Sequence, residues 1–341
     1  MGLNQRSRVL IVDDSASVRE TLARLVARDP GLEVVGTAAD PVIAWQKIKD
    51  LQPDVLSLDV EMPRMDGLTF LEKLMTHHPL PVVMVSSLTE RGCATTLRAL
   101  ELGAVDFVAK PRLDVVRGLE TLGDDLAAKL RIAAGARLLP RQTPPPPPPA
   151  RGLLEATHRV IAIGASTGGT QALLQVLSGL PAGAPGVVVV QHMPANFTRA
   201  FADSLDRQCQ IGVSEAADGD RILPGHALIA PGGMHLRVRR SGADYRVEVF
   251  DGAPVNRHKP SVDVLFHSCA RELGRHAIGV ILTGMGDDGA RGLEAMHNVG
   301  AHTIAQDEAT CVVYGMPGSA VARGAADAVL PLPQIAEAML R

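Results

Sequence analysis

Two groups of residues in this 341-residue chain have the types and spacing that chemistry needs. The first is Ser166 in the run Gly-Ala-Ser-Thr-Gly, His192 in Val-Gln-His-Met-Pro, and the adjacent acids Asp287 and Asp288 in Gly-Met-Gly-Asp-Asp-Gly. A serine between small residues can stand exposed on a strand-to-helix turn, a histidine can take its proton, and a carboxylate can orient that histidine. Together they are the parts of nucleophilic acyl transfer through an oxyanion. The serine motif alone is a weak signal, because Gly and Ser are common in any such turn. Either acid has the right type for the orienting role. The other histidines, among them His226, His235 and His258, fall mostly in loops or on helices and read as surface or packing residues.

The second group is Asp13 and Asp14, then Asp59, Ser86 and Lys110. Clustered carboxylates repel one another unless a hard cation sits among them, which points to Mg²⁺. A metal beside one carboxylate and a lysine can stabilise phosphoryl transfer onto that carboxylate. A single Asp at a strand end is more often a helix cap. The ordered set of two acids, a third acid, a serine and a lysine followed by proline is much harder to explain that way.

Both groups need a scaffold that gathers distant residues at one edge. In the first 122 residues, RVLIVDD, EVVGTAA, DVLSLD, PVVMVSS and DFVAK alternate with helix-period segments, one of them capped by Asp40 with Pro41 as its first residue. Short, continuously apolar strands separated by helices predict a parallel sheet covered on both faces. Sites of such doubly wound domains lie at the strand C-terminal ends, where the named residues fall. The pattern resumes from residue 158 with RVIAIG, GVVVVQ, HALIAP, AIGVILTG, HTIAQ and DAVL. HLRVRR and YRVEVF alternate apolar and polar residues and predict a β-hairpin insertion. The expected fold is therefore α/β, with two doubly wound parallel-sheet domains over 7–122 and 158–341. Between them, 123–157 is expected to be a linker whose six prolines at 144–149 form a semi-rigid spacer on the order of 19 Å long.

Composition narrows the function further. A formal net charge of −3, with basic residues spread along the chain, gives no electrostatic case for nucleic-acid binding. The four cysteines stand apart from one another, which disfavours a zinc or redox motif. The apolar runs are too short to span a bilayer, and no signal-peptide pattern opens the chain, so the expectation is a cytoplasmic protein with no membrane insertion. A dinucleotide-binding reading of the turn at Ser166 fails, because that fingerprint needs glycine where the serine stands.

In the first domain, DVEMPRMDG and VDFVAKP resemble a response-regulator receiver, a flavodoxin-like fold. In the second, IGASTGG, VQHMP, RHKPSVDVLF, LTGMGDDGA and AQDEATCVVYGMP together resemble the chemotaxis protein-glutamate methylesterases, whose catalytic domain is Rossmann-like. The chain order Ser, His, Asp sets it apart from the α/β-hydrolases. The resemblance implies Asp59 as phosphoacceptor, and Asp13, Asp14, Asp59 and the backbone carbonyl of Glu61 as Mg²⁺ ligands. It further implies Ser86 and Lys110 as phosphoryl contacts, and Phe107 at the aromatic switch position. For the catalytic domain it implies Ser166, His192 and Asp288 as the triad, with the Met285 backbone N–H in the oxyanion hole and Thr167 close by. It implies methyl-accepting chemoreceptors as substrates, a histidine kinase as phosphodonor, no cofactor for hydrolysis, and a second activity, deamidation of receptor glutamines. An unphosphorylated receiver that limits access to the catalytic rim completes what the family implies.

Overall fold

The computed structural model describes residues 6–62, 65–87, 89–110, 116–138 and 159–341. It contains two compact units, Met1–Pro140 and Arg141–Arg341. The proline-rich spacer expected at 141–150 lies outside the described residues.

In the first unit, β1 (Ser7–Val12), β2 (Leu32–Ala38), β3 (Val55–Asp59), β4 (Val82–Ser87) and β5 (Asp106–Lys110) form one parallel sheet in the order β2-β1-β3-β4-β5. Helices α1 (Ala16–Val26), α2 (Pro41–Leu51), α3 (Gly67–His77) and α4 (Glu90–Leu102) connect the strands in turn. The strands read as apolar runs because both faces are covered, and Val9, Leu10, Ile11, Leu56 and Leu58 are fully buried. Asp40 caps α2 as its sequence predicts, accepting hydrogen bonds from Val42 and Ile43 N–H at 2.9 Å. The strand order reverses between β1 and β3, the place where ligands of this topology bind.

Helix α5 (Val116–Ala134) follows β5. It runs well past residue 122, because Leu126, Leu130 and Ala133 continue a buried apolar stripe at helical spacing. The first part of the 123–157 segment is thus helical.

The second unit holds a seven-stranded parallel sheet in the order β14-β13-β12-β6-β7-β9-β8. Its strands are β6 (Val160–Ala165), β7 (Gly186–Gln191), β8 (Gly212–Glu215), β9 (His226–Ile229), β12 (Ala277–Ile281), β13 (His302–Gln306) and β14 (Ala328–Leu330). Helices α6 (Gly169–Ser178), α7 (Phe197–Asp206), α8 (Val262–Glu272), α9 (Ala290–Asn298), α10 (Met316–Ala322) and α11 (Leu332–Ala338) accompany them. Strand β8 is not among the expected strands, and only Val213 of its four residues is buried. It is a short edge strand, so it carries no apolar run to betray it. The hairpin appears where predicted, as β10 (His235–Ser241) paired antiparallel with β11 (Asp244–Phe250). Its two-residue loop has Gly242 at φ 63°, the position where such a turn requires glycine.

The core sits under β6, β7 and β12. Val187, Val188, Val189 and Val190 are fully buried, as are Ile161, Ile163, Val280 and Ile281. β6 lies between β7 on one side and β12 on the other, so the chain direction across the sheet reverses at β6. The ends of these three strands define the second unit's crevice.

Candidate active site and acidic cluster

Ser166 is the first residue after β6, and its N–H donates to Thr283 O at 3.0 Å. The turn Ser166-Thr167-Gly168 leads directly into α6, and Gly168 takes φ 77° as its N-cap. A Cβ on Gly168 would fall 2.6 Å from Val312 Cβ, so both backbone angle and space require glycine there. Thr283, fully buried, closes the turn from below. Its Oγ1 donates to Thr167 O at 3.0 Å and accepts from Val313 N–H at 3.0 Å, while its own N–H donates to Gln306 Oε1 at 2.8 Å. Gln191 Nε2 adds a bond to Ser166 O at 3.0 Å.

His192 follows β7 and continues the ladder, its N–H donating to Ala165 O at 3.1 Å. Serine and histidine therefore stand side by side on adjacent strand ends. The imidazole Nε2 lies 2.8 Å from Asp288 Oδ2. A carboxylate can only accept, so Nε2 carries the proton and Nδ1 is the free lone pair. That Nδ1 is buried and takes no hydrogen bond among the described residues.

Asp288 is 1% exposed and held by further donors: Asn256 Nδ2, Ser261 Oγ and Val262 N–H at 2.8, 2.8 and 2.7 Å, with Asp263 N–H at 3.3 Å. Burial by itself would raise its pKa, but the bonds from His192, Asn256 and Ser261 outweigh that and hold the carboxyl well below the usual carboxylate range. Asp287, one residue earlier, is exposed. Of the two acids left open by residue type, the structure brings Asp288 to the histidine.

Met285 lies within the loop between β12 and α9 and is 42% exposed. The loop begins against the serine: a Cβ on Gly284 would lie 2.7 Å from Ser166 Cβ. Thr167 is buried beside it.

Sequence reasoning misses Asn256 and takes His258 for a surface or packing residue. The imidazole of His258 stacks on that of His192 at a centroid distance of 3.7 Å and an interplanar angle of 6°. Burial, and then the neighbouring His192, push the His258 pKa down to about 4. The signal available is Asn256-Arg257-His258-Lys259, a polar run ahead of α8, whose turn geometry has no glycine to announce it.

In the first unit, Asp13 and Asp14 follow β1 and Asp59 ends β3, on the two sides of the strand-order reversal. One carboxylate oxygen from each of the three lies within 4.8 Å of the others. Lys110 Nζ, at the end of β5, reaches Asp59 Oδ2 at 2.8 Å and Asp13 Oδ2 at 3.1 Å. Burial raises the Asp59 pKa to about 6 even though Lys110 opposes it. Burial by itself would lower Lys110, but its bonds and proximity to Asp59 and Asp13 raise it, so the ammonium persists. An all-oxygen set of this kind suits a hard divalent cation such as Mg²⁺. Glu61 N–H points back to Asp59 Oδ1 at 3.4 Å. Ser86, fully buried at the end of β4, accepts from Thr96 Oγ1 at 2.6 Å. Phe107 is buried on β5, with Lys129 Nζ 5.4 Å from its ring centre. Among the described residues no helix is long and apolar enough to cross a membrane.

The chain matches the CheB methylesterase family over residues 161–339 and the response regulator receiver domain over residues 9–117. A protein-glutamate methylesterase/protein-glutamine glutaminase of Pseudomonas aeruginosa is 58% identical over 335 residues, covering 98% of this chain and 96% of its own length. The enzyme of that description from Salmonella typhimurium is 54% identical over 336 residues, with coverage of 98% and 96%. Among solved structures, the CheB methylesterase catalytic domain of Thermotoga maritima is 38% identical, with a TM-score of 0.53, and the match covers 54% of this chain and 98% of that one. The chain belongs to the CheB methylesterase family, as an ester hydrolase that carries a response regulator receiver domain.

Proposed function

We propose that Ser166, His192 and Asp288 hydrolyse glutamate γ-methyl esters on methyl-accepting chemotaxis receptors and deamidate receptor glutamines, and that phosphorylation of Asp59 by a histidine kinase activates them. The observation that carries this reading is the His192–Asp288 bond of 2.8 Å at a strand end adjoining that of Ser166. Nδ1 is the base: it takes the Ser166 Oγ proton as oxygen attacks the γ-acyl carbon, and returns it to methanol or ammonia as that group leaves. Water then attacks the acyl-enzyme, His192 accepts its proton, and glutamate and free serine result. Asp288 keeps the proton on Nε2 throughout and stabilises the imidazolium. Nucleophile–base bonds are often absent in a resting site and tighten when substrate binds. The oxyanion is received by the Met285 N–H, with Thr167 and the amide end of α6 alongside.

The receiver and catalytic domains are assigned to 7–122 and 158–341, with 123–157 between them and the first part of that segment helical. In the receiver, the Asp13, Asp14 and Asp59 carboxylates and the Glu61 carbonyl would hold Mg²⁺. Such an ion neutralises charge on a phosphoryl group. Lys110 supplies a fixed ammonium beside the acceptor oxygen, and Ser86 a hydroxyl. A kinase that works in the cytoplasm sets the compartment of the reaction.

Ser166→Ala tests the nucleophile. Both activities need one acyl-enzyme, so methanol release from methylated receptor membranes and ammonia release from their glutamines should disappear together. Survival of either at near-native rate places the nucleophile elsewhere.

A further inference from the structure

Both partners of the His192–Asp288 bond are touched by a single four-residue turn. Val255 and His258 pair across it, with N–H to carbonyl distances of 3.0 and 2.8 Å. Its central residues, Asn256 and Arg257, have φ of 49° and 68°. Asn tolerates the left-handed region better than most residues, Arg does not, and such strain persists where the surroundings impose it. Glycine would remove the strain but also the side chain, and the Asn256 side chain is fully engaged. Its Nδ2 donates to Asp288 Oδ1 at 2.8 Å and to Asp263 Oδ2 at 2.7 Å, and its Oδ1 accepts from Arg291 Nη2 at 2.8 Å. Asp263 is itself anchored, accepting from Gly292 N–H at 2.7 Å on α9. The amide therefore ties the orienting acid to two helices.

Two residues on, His258 lies flat on His192 at 3.7 Å. This contact matters because, among the described residues, the His192 ring is hydrogen-bonded at one nitrogen only. Among the described residues no hydrogen bond sets where Nδ1 points. A ring held by one bond can swing about it, and a parallel plate against its face opposes that swing. The neutral state of His258 above its depressed pKa also means that the plate does not repel the imidazolium formed on His192.

We propose that the Val255–His258 turn positions the catalytic pair, Asn256 fixing the Asp288 carboxylate and His258 fixing the plane of the His192 ring. The proposal rests on the hydrolase reading of Ser166, His192 and Asp288, and adds two positioning residues to it. The test uses the full chain with Asn256→Gly, which relaxes the backbone while removing the amide, His258→Ala, which removes the plate, and His258→Phe, which restores a plate. Methanol release from methylated receptor membranes gives kcat and KM. The low-field proton resonance of the His192 N–H, identified by its absence in His192→Gln, reports the hydrogen bond without any turnover.

Asn256→Gly and His258→Ala should lower kcat by about 10–100-fold with little change in KM. His258→Phe should recover most of its loss. The N–H resonance should shift or broaden in Asn256→Gly. In an Asp288→Asn background, Asn256→Gly should cost little more, since coupled residues are not additive. The proposal is overturned if Asn256→Gly and His258→Ala both keep kcat within about twofold of wild type, or if Asn256→Gly costs the full amount in both backgrounds. Loss of the resonance on Asn256→Gly, in a protein whose wild type releases no methanol, would uphold the positioning role while removing the hydrolase reading.

Discussion

Asp287 and Asp288 are neighbours in sequence and opposites in environment, one exposed and the other 1% exposed beneath a set of donors. Replacing Asp288 by Asn keeps the shape, but the imidazole then loses the acceptor that fixes its tautomer. A comparable change in a serine protease costs about 10⁴ in kcat. Asp288→Asn should therefore be severely impaired in methanol release, and Asp287→Asn should stay near wild type. The reverse ranking would mean that the orienting acid is Asp287. Stability supplies an independent check. The folded pKa of Asp288 is depressed, so its contribution is present above the ordinary carboxylate range near 4 and is lost as pH falls through the folded value. Thermal melts of wild type and Asp288→Asn should differ most at neutral pH and converge below about pH 4. A constant difference across that range would show that the ionised carboxylate is not what the surrounding donors stabilise.

At the scale of elements, the nucleophile depends on the turn from β6 into α6. Gly168→Ala there combines a left-handed backbone, costing about 1–2 kcal/mol, with a Cβ driven into Val312. Lower stability in urea melts and a fall in kcat are expected together, because Ser166 lies two residues upstream in that turn. A stable variant with reduced kcat would place the effect on the site alone, and unchanged values of both would contradict the steric argument. Much of this architecture is legible in the sequence. Strands buried on both faces leave unbroken apolar runs, and Ser166 and His192 stand just past two of them, so type and place coincide. Strand β8 is not legible because it is short and at the edge. Helix α5 continues past residue 122, and Leu126, Leu130 and Ala133 carry the helical spacing that shows it. Asn256 and His258 are hidden for a different reason. Their turn takes left-handed angles without glycine, a conformation set by contacts with Asp288, Asp263 and His192 from remote parts of the chain.

The whole molecule places the two candidate sites in two units, each with its own parallel sheet and each site where strand order reverses. On the proposed function, phosphoryl input at Asp59 and acyl transfer at Ser166 are therefore separable by mutation. Any influence of the first on the second is a coupling free energy, and phosphorylation can change the rate only as far as it distinguishes an active from a less active state. Typical couplings of 1–3 kcal/mol correspond to about 5–150-fold, which sets the scale to expect. A small-molecule phosphodonor with Mg²⁺ should label the wild-type chain and raise methanol release within that range. Asp59→Asn should take no label and show no activation, because the substituted side chain presents an amide where the acceptor oxygen stands beside Lys110. A chelator should abolish the activation of wild type while leaving basal hydrolysis by Asp59→Asn untouched, since the proposal puts the cation with Asp13, Asp14 and Asp59 and builds the triad from side chains alone. Equal labelling of Asp59→Asn would move the acceptor to another residue. Activation of the unlabelled variant would show that the phosphodonor acts without the receiver.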